Sequence, residues 1–161
     1  MEYRTGFGWD THRTGPDRPL IIGGITIPAD FGLVGHSDAD ILLHAVTDAI
    51  LGAAALGDIG MHFPDTDPQW QGVDSAQFLK HAVALAHNQN FELVNVDSTV
   101  ILERPKLNNH RAKIRENLAK ILNLDPSRVN VKFKTAEKTG PVGEGRSAEA
   151  QAIVTLRTIA T

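Results

Sequence analysis

The sequence predicts an α/β chain of the α+β sandwich type, with one mixed sheet carrying helices on one face. Three observations lead there. Segments 3–12, 93–102, 129–135 and 147–158 read as strands, the last three with apolar residues at every second position. Segments 38–56, 74–88 and 110–123 repeat apolar residues at helical spacing. Their order provides three helices, enough to cover one face of a single sheet. The length of 161 residues, 42% of them apolar, fits a single domain over 1–161.

The first strand runs into Asp10 and His12. Between Pro19 and Pro28, two short apolar runs are broken by Gly23-Gly24, a hairpin signal. Ser37 is placed as the cap of the first helix, with Asp40 three residues on as its capping-box partner and Gly57 as its stop. Residues 57–73 are rich in Gly, Pro and Asp and read as a loop. Asp74 to Gln77 resembles a second capping box, opening a helix with Phe78, Ala82, Leu85 and Ala86 on one face. In the next strand Val94, Val96, Val100 and Leu102 face one way, and Asn95, Asp97 and Thr99 the other. Ile114, Leu118, Ile121 and Leu122 mark the third helix. Val129, Val131 and Phe133, then Ala148, Ala150, Ala152, Val154 and Leu156, mark the inward faces of the last two strands. The opposite sheet face, with Asn95, Asp97, Thr99 and Glu149, is polar enough to meet solvent or a partner copy around an axis.

Composition excludes several classes. There is no cysteine, so a disulfide scaffold is excluded and any metal site must use His and carboxylates. With 16 Lys+Arg against 19 Asp+Glu, no basic excess points to nucleic acid. The N-terminus lacks an apolar signal core, and the most apolar stretch is interrupted by His44, Thr47 and Asp48. A cytoplasmic protein without membrane or nucleic-acid partners is the expectation.

Four constellations can carry chemistry. Asp10 and His12 are two apart, on one side of a strand, and form a clamp for a divalent ion. Asp40, His44 and Asp48 share one helical stripe in an otherwise apolar run, where a buried charge needs a partner or a metal. His44 as third ligand completes a two-His, one-Asp set, the pattern of a catalytic zinc, with Asp48 able to orient it from behind. Asp58, Asp65 and Asp67 in the Gly/Pro loop bind hydroxyls or a cation, or simply form Asx turns. Pro105-Lys106, and Lys132 through Glu137, suit a phosphate with a hard metal, or a solvated strand edge. Gly6-x-Gly8 lacks the third glycine of a dinucleotide fingerprint, and 140–145 reads as a flexible turn.

The segments G-F-G-W-D-T-H (6–12), the 18–28 hairpin, the long block 32–60, H-F-P-D-T-D-P (62–68), N-x-D-x-T-x-I (95–101), R-P-K (104–106) and V-N-V-K (129–132) resemble the 2-C-methyl-D-erythritol 2,4-cyclodiphosphate synthase family over nearly the whole chain. The resemblance implies a homotrimer around the open sheet face, with sites between subunits. It implies conversion of 4-diphosphocytidyl-2-C-methyl-D-erythritol 2-phosphate to the cyclic diphosphate and CMP. By the same resemblance, Asp10, His12 and His44 bind Zn²⁺ or another divalent transition metal. His36 and Ser37 sit near the phosphate and erythritol end. Asp58, Ile59 and Gly60 hold the ribose, and the Phe63–Asp67 loop, with Asp65, closes on the erythritol. From the neighbouring subunit, Leu102, Pro105, Lys106 and Leu107 shape the cytosine pocket, Lys134 and Thr135 meet phosphate, and Glu137 binds Mg²⁺ or Mn²⁺.

The chain departs from the family pattern at Lys134-Thr135-Ala136, where a run of Thr is usual, and at Glu144 and Arg146, which stand in swapped order. The second departure leads to an expected Glu144–Arg146 pair across subunits. Two other readings share these residues: a hydrolase in which water replaces the internal phosphate, and a binding module without turnover.

Overall fold

The computed structural model describes residues 1–159. Strand β1 runs Tyr3–Gly15, β2 Leu20–Ile22, β3 Ile25–Ile27 and β4 Gly32–Val34. Helices α1 (Ile41–Ala53), α2 (Ile59–His62) and α3 (Ala76–Asn88) follow. Then come β5 (Phe91–Ile101), α4 (Arg111–Leu122), β6 (Val129–Lys134), the single turn α5 (Gly140–Gly143) and β7 (Ser147–Thr158). The main sheet has the order β4-β1-β7-β5-β6, and β2 and β3 form a separate hairpin. Among the described residues only β5 and β6 run parallel, so the sheet is mixed, as expected.

α1 rests directly on β1 and β7. The even positions of β1 face it, and two of them are glycines. A Cβ on Gly8 would lie 1.9 Å from the Ala45 carbonyl oxygen, and one on Gly6 2.0 Å from that of Ala49. Across the pair, Ala148, Ala150 and Ala152 of β7 are at most 1% exposed. Small residues on two adjacent strands thus let a helix backbone come close, and they explain why α1 is apolar nearly all round. Gly8→Ala must push α1 off the sheet and should destabilise by about 3 kcal/mol or more. Thermal unfolding checks this, and an unchanged Tm would contradict the packing.

Several sequence expectations need correction. Asp40, not Ser37, caps α1: its carboxylate accepts from the N–H groups of Leu42 and Leu43. The helix begins at Ile41 and stops at Ala53, four residues before Gly57. β1 extends to Gly15 because β4, too short to read by period, pairs with Arg13–Gly15. In β5 a bulge between Leu93 and Asn95 shifts the phase. Phe91, Leu93 and Val96 are therefore buried, and Val94 is not a core position. At α3 the capping box does not form: Asp74 accepts from the N–H of Ala76, and the helix opens after Ser75. The 57–73 loop contains α2 and a 3₁₀ turn at Pro68–Trp70. Arg146 pairs with Glu144 at 2.6 Å within this chain, two residues apart across Gly145.

The open sheet face is only half polar. Phe7 sits opposite Ile153, and Ile153 opposite Asp97. Phe7 is 60% exposed, Ile153 and Trp9 47% each. Towards β6 the same face turns polar, with Asn130 and Lys132 both donating to Asp97.

Candidate active site

The face of β1 that carries glycines under α1 carries ligands where α1 begins. Asp10 and His12 continue the even register of Gly6 and Gly8, and His44 meets them from the first turn of α1. Asp10 Oδ2 lies 3.0 Å from His12 Nε2 and 3.0 Å from His44 Nδ1, and the two nitrogens are 3.3 Å apart. One atom from each residue thus converges on one point. A tetrahedral zinc with bonds of about 2.0–2.1 Å has ligand–ligand edges of about 3.3 Å, so this donor set fits such an ion. His12 is also oriented for it: its Nδ1–H donates to the Val34 carbonyl at 2.9 Å, which leaves the Nε2 lone pair to the cluster.

Burial pushes the Asp10 carboxyl up, but hydrogen bonds and charge from His12 and His44 outweigh it and hold the group down at about 2. Burial alone would lower His12, and the Asp10 carboxylate beside it raises it instead. A metal must displace that proton. Zn²⁺ affinity should therefore rise with pH through and beyond the ordinary His range, by up to about tenfold per unit for each proton released. A chelator-competition titration at several pH values checks this, and a flat profile would contradict it.

The remaining members of the helical stripe do separate jobs. Asp40 is fully buried and accepts four backbone N–H groups, from Gly23, Gly24, Leu42 and Leu43. It joins the hairpin turn to the start of α1. Asp48 does not orient His44: its carboxylate accepts the Ile59 N–H at 2.7 Å and anchors α2. His44 Nε2 is met instead by Ser75 Oγ at 2.8 Å and Ser37 Oγ at 3.1 Å.

A cavity of about 480 Å³ opens over this cluster. Of the expected substrate residues, His36, Ser37, Ile59, Gly60, Phe63 and Asp65 line it. Ser37 turns its hydroxyl to His44. Asp58 and Asp67 do not line it. Asp58 caps α2 by accepting from the Met61 N–H, and Asp67 forms an Asx turn by accepting from the Gln69 N–H. The Asp67 carbonyl also meets His36 Nε2 at 3.1 Å. Trp70 and Phe78 complete the wall, with Phe63 stacked 4.4 Å from Phe78 and edge-on to Trp70. Sequence reading missed both. Each is an aromatic in or beside a polar loop, a signal open to either core or pocket.

A second cleft of about 140 Å³ lies elsewhere on the chain. Leu102, Pro105, Lys106, Leu107, Lys134 and Thr135 line it, with Glu103, Asn108 and Phe133. Glu103 accepts the Ala136 N–H at 3.1 Å. Next to it, Thr135 Oγ1 donates to Glu137 Oε1 at 3.1 Å, and Glu137 and Lys138 both take positive φ. The metal triad and Glu137 are thus not brought together within one chain. Each cluster is built, and they sit apart.

Comparison with known proteins accords with this arrangement. The YgbB family model matches residues 3–157. A 2-C-methyl-D-erythritol 2,4-cyclodiphosphate synthase from Solibacter usitatus is 68% identical over 155 residues, spanning 96% of this chain and 98% of that protein. The structure of bifunctional IspDF from Campylobacter jejuni superposes with a TM-score of 0.95 at 42% identity, over 98% of this chain and 43% of that one. A solved 2C-methyl-D-erythritol-2,4-cyclodiphosphate synthase in its CDP-bound form superposes with a TM-score of 0.88 at 40% identity, over 96% of this chain and 100% of that one. Sequence, fold and the clustered Asp10, His12 and His44 therefore agree that this chain belongs to the YgbB family of 2-C-methyl-D-erythritol 2,4-cyclodiphosphate synthases.

Proposed function

We propose that this chain is a phosphorus–oxygen lyase of isoprenoid precursor biosynthesis. It converts 4-diphosphocytidyl-2-C-methyl-D-erythritol 2-phosphate to 2-C-methyl-D-erythritol 2,4-cyclodiphosphate and CMP. The observation that carries this reading is the convergence of Asp10, His12 and His44 under a cavity, in a chain 68% identical to a synthase of that name. An oxygen of the 2-phosphate attacks the β-phosphorus. The bond from that phosphorus to the bridging oxygen breaks, and CMP leaves with the electron pair. The nucleophile is already an anion, so no strong base is required. The obstacle is the approach of two anions.

Zn²⁺ held by Asp10, His12 and His44, and Mg²⁺ or Mn²⁺ held by Glu137, would neutralise phosphate charge and polarise the β-phosphorus. The protein's own part is positioning. Thr135 fixes the direction of the Glu137 carboxylate. Leu102, Pro105, Lys106 and Leu107 frame the cytosine, and Lys134 and Thr135 meet phosphate. His36, Ile59, Gly60, Phe63 and Asp65 surround the sugar end, while Asp58 and Asp67 hold the loop in shape. Holding both ends of one molecule turns the attack into a ring closure. The aromatic wall of Phe63, Trp70 and Phe78 excludes the water that would otherwise hydrolyse the diphosphate.

The two clusters lie apart on one chain, so the site is completed by a second copy. That copy would come from a homotrimer around the open sheet face, a reading supported by the exposure of Phe7, Trp9 and Ile153 there. Its setting is cytoplasmic, with residues 1–161 acting as one domain. The activity is tested by CMP release from the cytidine diphosphate substrate with both metals present, and absence of release would overturn it. The shared site is tested by mixing. Asp10→Ala and Glu137→Ala variants, each inactive alone, should regain about a quarter of wild-type activity in randomly mixed trimers, since half the sites carry each intact half. No recovery would overturn the sharing.

A further inference from the structure

We propose that Ser75 and Asp38 set the tautomer and aim of His44, acting as positioning residues for the metal centre. The inference rests on the metal reading above and deepens it.

His44 presents Nδ1 to Asp10, so its second nitrogen, Nε2, points back into the protein. There it meets Ser75 Oγ at 2.8 Å. Ser75 is itself gripped by Asp38: the hydroxyl bonds to Oδ1, and the Ser75 backbone N–H donates to Oδ2 at 3.1 Å. The donors and acceptors of this chain can be counted. A carboxylate only accepts, so the single hydroxyl proton of Ser75 is committed to Asp38. Ser75 Oγ is then an acceptor towards His44, and Nε2 must carry the proton. The lone pair is left on Nδ1, the atom that faces Asp10 and His12. The same logic holds His12 in the opposite tautomer through the Val34 carbonyl.

Burial makes the arrangement firm. Ser75 is fully buried and His44 is 9% exposed, so water does not compete for these groups. Ser37 Oγ also lies 3.1 Å from Nε2, but it has no carboxylate behind it. It accepts the Ala39 N–H and sits 3.3 Å from Ser75 Oγ. Its hydroxyl therefore follows the polarity that Asp38 imposes. Asp38 is in turn fixed to the segment before α3, its N–H donating to the Val73 carbonyl at 3.1 Å. The link couples the start of α3 to a ligand on α1.

The test uses the full chain and Zn²⁺ alone. Ser75→Ala should weaken Zn²⁺ binding by about 10–100-fold in a competition titration against a chromogenic chelator. Nitrogen NMR of the metal-free variant should show His44 losing its Nε2–H preference. Asp38→Asn offers one acceptor where the carboxylate offers two, so it should move both readouts in the same direction. It decides the matter if Ser75→Ala fails to fold. Zn²⁺ binding by both variants within about twofold of wild type, with His44 still protonated at Nε2, would overturn the inference while leaving the metal reading intact. Failure of the wild type to bind Zn²⁺ would overturn the metal reading and the positioning role with it.

Discussion

Replacing Asp10 or His12 with alanine should abolish Zn²⁺ binding and lower kcat/KM by about a thousandfold or more. The two losses should appear together because three protein ligands are the minimum of this site. Asp10 Oδ2 stands 3.0 Å from both imidazole nitrogens and is the one anion in the triad. Without it, two imidazoles remain, and the charge that favours a cation is gone. His12→Ala leaves Asp10 and His44 in place and removes one of the three ligands. Folding is not at stake to the same degree, since Asp10 and His12 are only partly buried, at the end of a strand held by β7. Metal content by elemental analysis, turnover and Tm, measured on the same preparations, separate the effects. A metal-free variant with wild-type turnover would refute the role of the triad.

Asp40→Ala should produce the largest loss of stability of any single polar substitution described above, about 4 kcal/mol. The carboxylate caps α1 and also holds the hairpin turn, and removing it strands four N–H groups, three of them in buried bonds. Asp40→Asn should cost less. Oδ1 takes three of the four N–H groups, from Gly23, Leu42 and Leu43, and the amide oxygen can keep them. Only the Gly24 bond to Oδ2 is lost. Burial pushes the Asp40 carboxyl up to about 6 against the pull of these N–H groups. With the folded value raised, stability from this group is fully present below its ordinary range and declines as pH rises through about 6. The Asn variant should flatten that decline. Denaturant unfolding of the three proteins at several pH values checks both points, and equal stability of Asp40→Ala and wild type would contradict them.

Much of this was legible in the sequence. Where one face of an element is buried and the other wet, the period shows, and β7 falls at its expected bounds of 147 and 158. The Asp10, His12 and His44 set could be read because strand and helix spacing each put polar residues on an otherwise apolar face. What could not be read depended on tertiary partners. Leu93 and Val94 exchange roles because of a bulge, which needs β7 beside β5 to exist. β4 has only three residues, too few for a period, yet its Val34 carbonyl sets His12. Asp48 was read as the residue that orients His44, and Ser75, which meets His44 in the structure, carried no such reading. Both are polar and near His44, but the direction of a hydrogen bond is decided by how α1, α2 and α3 pack. Ser37 as a cap was a plausible reading of the motif, and it failed because Asp40 reaches both the hairpin and the helix start.

The measurement that tests the central claim most directly is a phosphorus NMR spectrum of the reaction products. The purified chain is incubated with 4-diphosphocytidyl-2-C-methyl-D-erythritol 2-phosphate, Zn²⁺ and Mg²⁺. The account predicts a cyclic diphosphate formed together with an equal amount of CMP, and neither product with Asp10→Ala. CMP accompanied only by linear phosphates would show that water is the nucleophile and contradict the ring closure, and an unchanged spectrum with Zn²⁺ bound would contradict catalysis altogether.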